Sequence, residues 1–343
     1  MIAFFPVPYP DELLYSVFAR YYAGSGYVRY VFAAEDLYRN RQTKPNIEFL
    51  NALTDDAMAQ LTRNISLEKV IEKHTMYPYF ARFLPIERRR LALNALVNMD
   101  ESYCNHLRLP KGVGCKRRYL RYCPECVRDD RLRYYETYWH RDHQMIGVNV
   151  CVKHGCRLVD TNVPIISKNS PALITAEELV EDLCPDNTVD EVERMLAVYM
   201  TEVFQSDVDM ESDIPIGRYL HTALEDTPYL SVRGKKRYME QLWEDFSLYY
   251  AELPEKPLQE LWQLQKVFNG KRIGMWEVCM VAMFLGVPSD SLVKPQLPCE
   301  DRTITFDATV RQLHADGMKY PQIAEKVGAS YDYVKLIGNR KQI

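Results

Sequence analysis

Cys123-Pro124-Glu125-Cys126 and Cys151-Val152-Lys153-His154 stand 24 residues apart, and Arg, Tyr and Trp crowd the segment between them. Zinc takes four soft or borderline ligands tetrahedrally, and a short Cys-x2-Cys or Cys-x2-His turn aims two donors at one point. The two turns complete one shell, with Cys123, Cys126, Cys151 and His154 as ligands of a single structural Zn2+. Three thiolates and an imidazole leave no coordination place for water, so the expected role is structural, not catalytic. Unpaired thiols beside a surface histidine are the plain alternative. Two matched half-sites in a chain with nine cysteines favour the metal. A metal of this kind substitutes for a core, so residues 107–163 are expected to form a small zinc-ribbon module of short β-prone pieces.

The surroundings of the knuckles are basic, with Arg108, Lys111, Lys116, Arg117, Arg118, Arg121, Arg128, Arg131 and Arg133 outnumbering the acids. Clustered Arg and Lys supply most affinity for phosphate, so Arg117, Arg118 and Arg121 are candidate DNA contacts. His140 and His143, in Tyr138-Trp139-His140-Arg141-Asp142-His143, form a His-x2-His pair that ranks second as a ligand set, because the knuckles already satisfy zinc. From Glu177 to Asp213 the chain is acidic, which predicts a solvated face that avoids DNA.

The fold expected around the ribbon is mainly α and multidomain. Phe5-Pro6-Val7-Pro8-Tyr9-Pro10 cannot be helical, since its prolines remove donors and bias their predecessors to extended backbone. Asp11 is expected to cap a helix that buries Leu13, Leu14, Val17, Phe18 and Tyr21 and stops at Gly24-Ser25-Gly26. Further helices are predicted at 47–53, 55–63, 66–74 and 85–99, which makes residues 1–106 an N-terminal helical domain with a Pro-rich arm. A helical middle region over 164–287 follows, with helices near 176–182, 190–204, 217–224, 235–250, 258–268 and 275–285. Pro288, Pro295 and Pro298 mark 288–303 as a linker. Residues 304–343 have the pattern of a helix-turn-helix. Ala324 is small at the helix crossing, Gly328 allows the turn, Ser330 caps the next helix, and Val334 and Ile337 pack back. Its recognition helix, Tyr331 to Arg340, would present Tyr331, Asp332, Lys335, Asn339 and Arg340 to DNA. A helical hairpin that packs or docks protein is the alternative.

Composition narrows the classes further. The net charge of −4 argues against a globally adhesive nucleic-acid binder, and local charge matters more than the sum. Hydrophobic residues make up 47%, yet no apolar run approaches the roughly 20 residues a membrane helix needs. The start lacks a secretory signature and the cysteines do not form a disulfide framework, so a cytoplasmic, nucleoid-associated protein is expected, without membrane contact. Gly112-Val113-Gly114-Cys115-Lys116 lacks the spacing and the hydroxyl of a phosphate-binding loop. Signatures of zinc proteases, serine hydrolases and deaminases are missing too, and nothing in the spacing of Asp100, Glu101 and Asp142 selects them as a nuclease cluster. The chain is not expected to be an enzyme.

Three segments resemble the TniQ/TnsD family of bacterial transposon target-selection proteins. They are Phe5-Pro6-Val7-Pro8-Tyr9-Pro10-Asp11-Glu12-Leu13-Leu14-Tyr15-Ser16; His74-Thr75-Met76-Tyr77-Pro78 followed by Glu87-Arg88-Arg89; and Arg121 through the two knuckles to Gly155. The resemblance covers about the first 160 residues. It implies a non-catalytic adaptor that recognises an insertion site and recruits the AAA+ ATPase TnsC, which calls the transposase. It also implies Zn2+ on Cys123, Cys126, Cys151 and His154, and it points to Phe5, Tyr9, Asp11 and Glu12 for the TnsC contact. Family members act either on target DNA directly or on an RNA-guided CRISPR effector, Cascade with its guide RNA; a zinc-ribbon transcriptional regulator is the remote alternative. A single reading module specifies only a short site, which leaves monomer and homodimer both open.

Overall fold

The computed structural model describes residues 2, 4–109, 118–165, 173–225, 227–231, 236–270, 273–297, 302–327 and 331–339. They form two compact units, Met1–Pro295 and Gln296–Ile343.

In the first unit the Pro-rich arm runs extended into α1 (Leu14–Ser25), whose Leu14, Tyr15, Val17, Phe18 and Tyr21 are buried. Gly26, at φ 71°, ends it in the left-handed conformation that glycine adopts without a Cβ clash. Asp11 does not cap this helix. Leu13 occupies the cap position without a side-chain bond, and Asp11, at φ 54°, turns its carboxylate toward Arg141. After α2 (Tyr30–Leu37), Thr54 caps α3 (Asp55–Leu61) and Ser66 caps α4 (Leu67–His74), each hydroxyl accepting an otherwise unbonded backbone N–H. The helix expected at 47–53 is absent. Asn46 Oδ1 accepts from Glu48 N and Phe49 N at 3.0 Å, and Tyr38 bridges Leu53, so the local side chain competes successfully with helical bonding. Short helices α5 (Tyr77–Ala81), α6 (Ile86–Val97) and α7 (Tyr103–His106) complete the N-terminal part.

β1 (Tyr119–Tyr122) and β2 (Val159–Pro164) then pair antiparallel and bracket the knuckles, with Arg121 opposite Asp160. Between them lies α8 (Pro124–Tyr134), a helix the β-prone reading of this region passed over. Cys123 caps it and Pro124 opens it at the first turn, where a missing N–H costs nothing.

The middle region contributes α9 (Glu191–Gln205), capped by Asp190, then α10 (Ile216–Thr222), α11 (Met239–Tyr249), α12 (Leu261–Phe268) and α13 (Met275–Phe284). The stretch 176–182 is a turn, not a helix. The linker expected at 288–303 begins too early, because α14 (Ser289–Val293) buries Leu292 and Val293 against α9. One apolar core runs from Ile2 to Val293, and residues of the expected 1–106, 107–163 and 164–287 segments all enter it.

The second unit holds α15 (Arg302–Ala315), α16 (Tyr320–Lys326) and α17 (Tyr331–Asn339), packed on one another around Val310, Ile323, Ala324, Val334 and Ile337. A Cβ on Gly338 would meet the Tyr320 ring at 2.6 Å, so this glycine lets α17 lie close to α16. Gly328, Ser330 and Arg340 lie outside the described residues.

Candidate metal centre

The two knuckles converge. Ligand atoms of Cys123, Cys126, Cys151 and His154 all lie within 4.8 Å of one another. His154 Nδ1 is 3.4 Å from Cys123 Sγ, 3.4 Å from Cys126 Sγ and 3.6 Å from Cys151 Sγ, and Cys126 and Cys151 are 3.6 Å apart. Cys123 and Cys126 are set by the first turn of α8, where Cys126 N donates to Cys123 Sγ. The second knuckle is closed by Gly155 N donating to Cys151 O at 2.7 Å, with Gly155 at φ 69°.

This donor set fits a structural zinc ion. The three thiols are buried, and close packing drives them apart electrostatically: Cys123 and Cys151 push the Cys126 thiol up, while bonds from Cys123 and Cys126 pull Cys151 down to about 4. A divalent cation removes that conflict by stabilising every thiolate at once. His154 is oriented for the task, since its Nε2 lies 3.1 Å from Asp129 Oδ2 and its Nδ1 faces the thiols. Asp129 is in turn held by Lys153. A carboxylate on the outer imidazole nitrogen fixes the tautomer that leaves the inner nitrogen's lone pair for metal.

Cys156 is a further cysteine at the edge of the cluster. It is buried, and it sits 3.3 Å from Cys123 Sγ, outside the four-residue cluster, with burial pushing its thiol up to about 12.

The arm is built into this centre. Leu13 N donates to Trp139 O at 2.9 Å, Arg141 N to Asp11 O at 2.8 Å, and Trp139 N to Ser16 Oγ at 3.1 Å. Arg141 is 2% exposed and joins all three segments that carry the family resemblance. Its guanidinium meets Asp11 at 2.8 to 2.9 Å, donates to Glu72 O and Thr75 O just before Met76-Tyr77-Pro78, and lies 4.3 Å from the centre of the Phe204 ring. His74 Nδ1 lies 2.7 Å from Glu12 O.

Asp11 and Glu12 are therefore corrected from a partner surface to internal supports. Glu12 is fully buried, and its Oε2 accepts from Tyr9 N at 2.8 Å and from Arg20 at 3.0 Å. Phe5 packs on Phe18 and Tyr21, and Tyr9 stacks on Tyr134 with its hydroxyl donating to Glu136. Phe4 and Val7 are the arm residues that stand out, 57% and 73% exposed.

Burial raises the Glu12 carboxyl to about 7, with Arg20 opposing the shift. A raised folded-state pKa means that the folded chain binds this proton more tightly than the unfolded chain. The contribution of Glu12 is thus most favourable at low pH and declines as pH rises from its unfolded value near 4.5 to about 7. Glu12→Gln is expected to remove a decline of up to about 3 kcal/mol from that window. Urea unfolding at stepped pH checks it, and parallel curves for both proteins would contradict it.

The basic residues near the knuckles prove to be largely spoken for. Arg118 makes a two-pronged bond to Glu48 at 2.9 and 3.0 Å. Arg121 donates to Val148 O, Asn149 Oδ1 and Met145 O, and burial pushes its guanidinium down to about 10. Both brace the strand pair, so neither is presented to phosphate. Arg128 pairs with Glu125, Arg131 with Glu177, and Arg157 with Glu193. Glu177 and Glu193 of the acidic stretch thus answer two ribbon arginines, while Glu181, Asp182, Asp186, Asp190, Glu191 and Glu211 stay exposed as the expected solvated face. Arg117, Lys111 and Lys116 lie outside the described residues, as do the side chains of Asp332 and Asn339. In α17, Lys335 and Tyr331 are exposed, with Nζ 5.6 Å from the Tyr331 ring centre. No helix among the described residues is long and apolar enough to cross a membrane.

Comparison with known proteins agrees with this arrangement. Residues 3–158, which span the arm, the Arg141 junction and the whole cysteine-histidine cluster, match the family model described as TniQ. The transposition protein TnsD of transposon Tn7 from Escherichia coli is 33% identical over 156 residues, 44% of this chain and 30% of that relative. The match thus spans less than a third of the relative's length. Residues 3–158, just under half of the chain, are thus similar to the TniQ/TnsD family.

Proposed function

We propose that the chain is a target-site selector for a Tn7-like transposon: it binds DNA and recruits the AAA+ regulator TnsC, which directs the transposase, without catalysing a reaction itself. The observation that carries this reading is the family match over residues 3–158, together with its similarity to a transposition protein. The zinc ion holds the ribbon that anchors the arm. Contact with DNA falls to the second unit, a helix-turn-helix in this reading, because the ribbon arginines at 118 and 121 are engaged inside the fold. Tyr331 and Lys335, both exposed on α17, face the duplex in this reading.

The test is binding of zinc-loaded protein to genomic fragments at physiological salt, with retained fragments sequenced. One enriched site is expected. Lys335→Ala should weaken binding to all sequences and lower the salt slope by about 1, whereas Arg121→Ala should reduce stability and leave that slope unchanged. Failure to enrich any fragment, with TnsC still captured, would overturn the DNA-reading part. It would favour a TniQ-type adaptor on a Cascade-like guide complex, a second reading supported by the internal neutralisation of the ribbon's arginines.

The arm carries the TnsC contact in this proposal, through the exposed Phe4 and Val7 in place of Asp11, which is paired with Arg141, and the buried Glu12. Phe4→Ser with Val7→Asp is expected to reduce TnsC capture at least tenfold, an effect of about 1.4 kcal/mol, with melting unchanged. Unchanged capture would place the contact elsewhere.

A further inference from the structure

Beside the thiolate cluster, the turn at Asp142–Gln144 brings a second set of metal-type donors together. Ligand atoms of His140, Asp142 and His143 lie within 4.8 Å of one another. We propose that these three residues hold a second divalent ion of the zinc, cobalt or nickel class, distinct from the ion on Cys123, Cys126, Cys151 and His154.

Each imidazole has one nitrogen engaged and one open. His140 Nε2 is 2.8 Å from Asp130 Oδ2, which also accepts from Thr137 Oγ1 at 3.0 Å, so the proton belongs on Nε2 and the lone pair on Nδ1. His143 Nε2 stands between the thiolate and the carboxylate, 3.7 Å from Cys126 Sγ and 3.8 Å from Asp142 Oδ1. His143 Nδ1 and Asp142 Oδ1 are both buried and have no hydrogen-bond partner, although the His143 side chain is only 3% exposed. Buried polar atoms left unpaired in this way are costly, and two in adjacent residues need an account. A histidine stack over Asp130 explains His140 but neither orphan. A cation satisfies both.

Zinc-type bonds of about 2.0 to 2.2 Å place neighbouring donors roughly 3.3 to 3.6 Å apart, so the present spacing needs closure of at most about 1.5 Å. Two imidazoles and one carboxylate select such ions over magnesium or calcium, which prefer all-oxygen shells. With His140 16% and Asp142 22% exposed, the remaining coordination place faces solvent and takes water. Asp11 reinforces the turn, accepting from Asp142 N at 2.9 Å and from Arg141 at 2.9 Å. The site therefore ties the arm to the ribbon a second time.

The full chain should be saturated with Zn2+, freed of loose metal, and its metal content measured against protein. A ratio of two is expected, falling to one in Asp142→Asn and in His140→Gln. Cobalt substitution separates the sites: the intense thiolate-to-cobalt absorption should survive in both variants. A ratio of one in the unaltered chain overturns the proposal, as does a ratio of two in both variants. A single ion whose thiolate absorption shifts in His143→Gln but not in His154→Gln also overturns it, because His143 would then be the fourth ligand of the thiolate shell. If His140→Gln fails to fold, the unaltered chain and the milder Asp142→Asn decide.

Discussion

Stripping metal from the centre formed by Cys123, Cys126, Cys151 and His154, which we propose holds zinc, is expected to collapse the whole first unit, not the ribbon alone. A structural zinc ion contributes on the order of 10 to 16 kcal/mol of apparent binding energy in isolated finger peptides, comparable to the roughly 5 to 15 kcal/mol net stability of a domain. The ribbon here has few apolar contacts of its own, since the cluster around the ligands is four cysteines with Leu158 against them. Its strand pair and the segment 138–150 nevertheless carry Leu120, Val163, Trp139, Met145, Val148 and Val150 into the common core. Loss of the ion releases those residues together with the arm bonded to Trp139 and Arg141. Strong chelation, or Cys126→Ser, should therefore abolish the main cooperative unfolding transition followed by circular dichroism, with metal content falling in step. Survival of that transition in metal-free protein would show that the core stands without the ribbon.

The same geometry explains which features were legible from sequence. Ligand spacing was readable because each knuckle is local: two donors three residues apart are aimed by one turn, and only their meeting needed the fold. The starts of the helices expected at 66–74 and 190–204 are local for the same reason, with Ser66 and Asp190 capping them. The helix expected at 47–53 failed because the apolar spacing of Ile47 and Leu50 carries no information about Asn46, whose side chain ties the backbone into a turn. α8 was overlooked because its sequence is charged along most of its length, and it is held by its zinc-site end more than by an apolar stripe. Charge roles were the least legible. Glu48 is 70 residues from Arg118, and Glu177 is 46 from Arg131, so nothing near either arginine in sequence says that its charge is answered inside the molecule. Lys335 keeps the surface position its helical phase assigns.

Arg141→Ala is expected to be the most damaging single substitution away from the zinc ligands, at about 3 to 5 kcal/mol, because it strands a charge and several acceptors at once. Asp11 loses the guanidinium that offsets the cost of its own burial, which already raises its carboxyl above the ordinary range. The carbonyls of Glu72 and Thr75 lose their donor, and the Phe204 ring loses the cation over its face. Lysine cannot substitute, since a single ammonium cannot reach a carboxylate, two carbonyls and a ring in one plane. Asp11→Asn alone should cost less, and Asp11→Asn with Arg141→Ala should fall short of the two single effects added together, because the stranded carboxylate is gone. Urea midpoints of the four proteins, with metal content held equal, measure the coupling. Strict additivity would mean that the Asp11–Arg141 ion pair adds nothing to the other contacts that join arm and ribbon, and that the arginine acts through its bonds to Glu72 O and Thr75 O and its packing on Phe204.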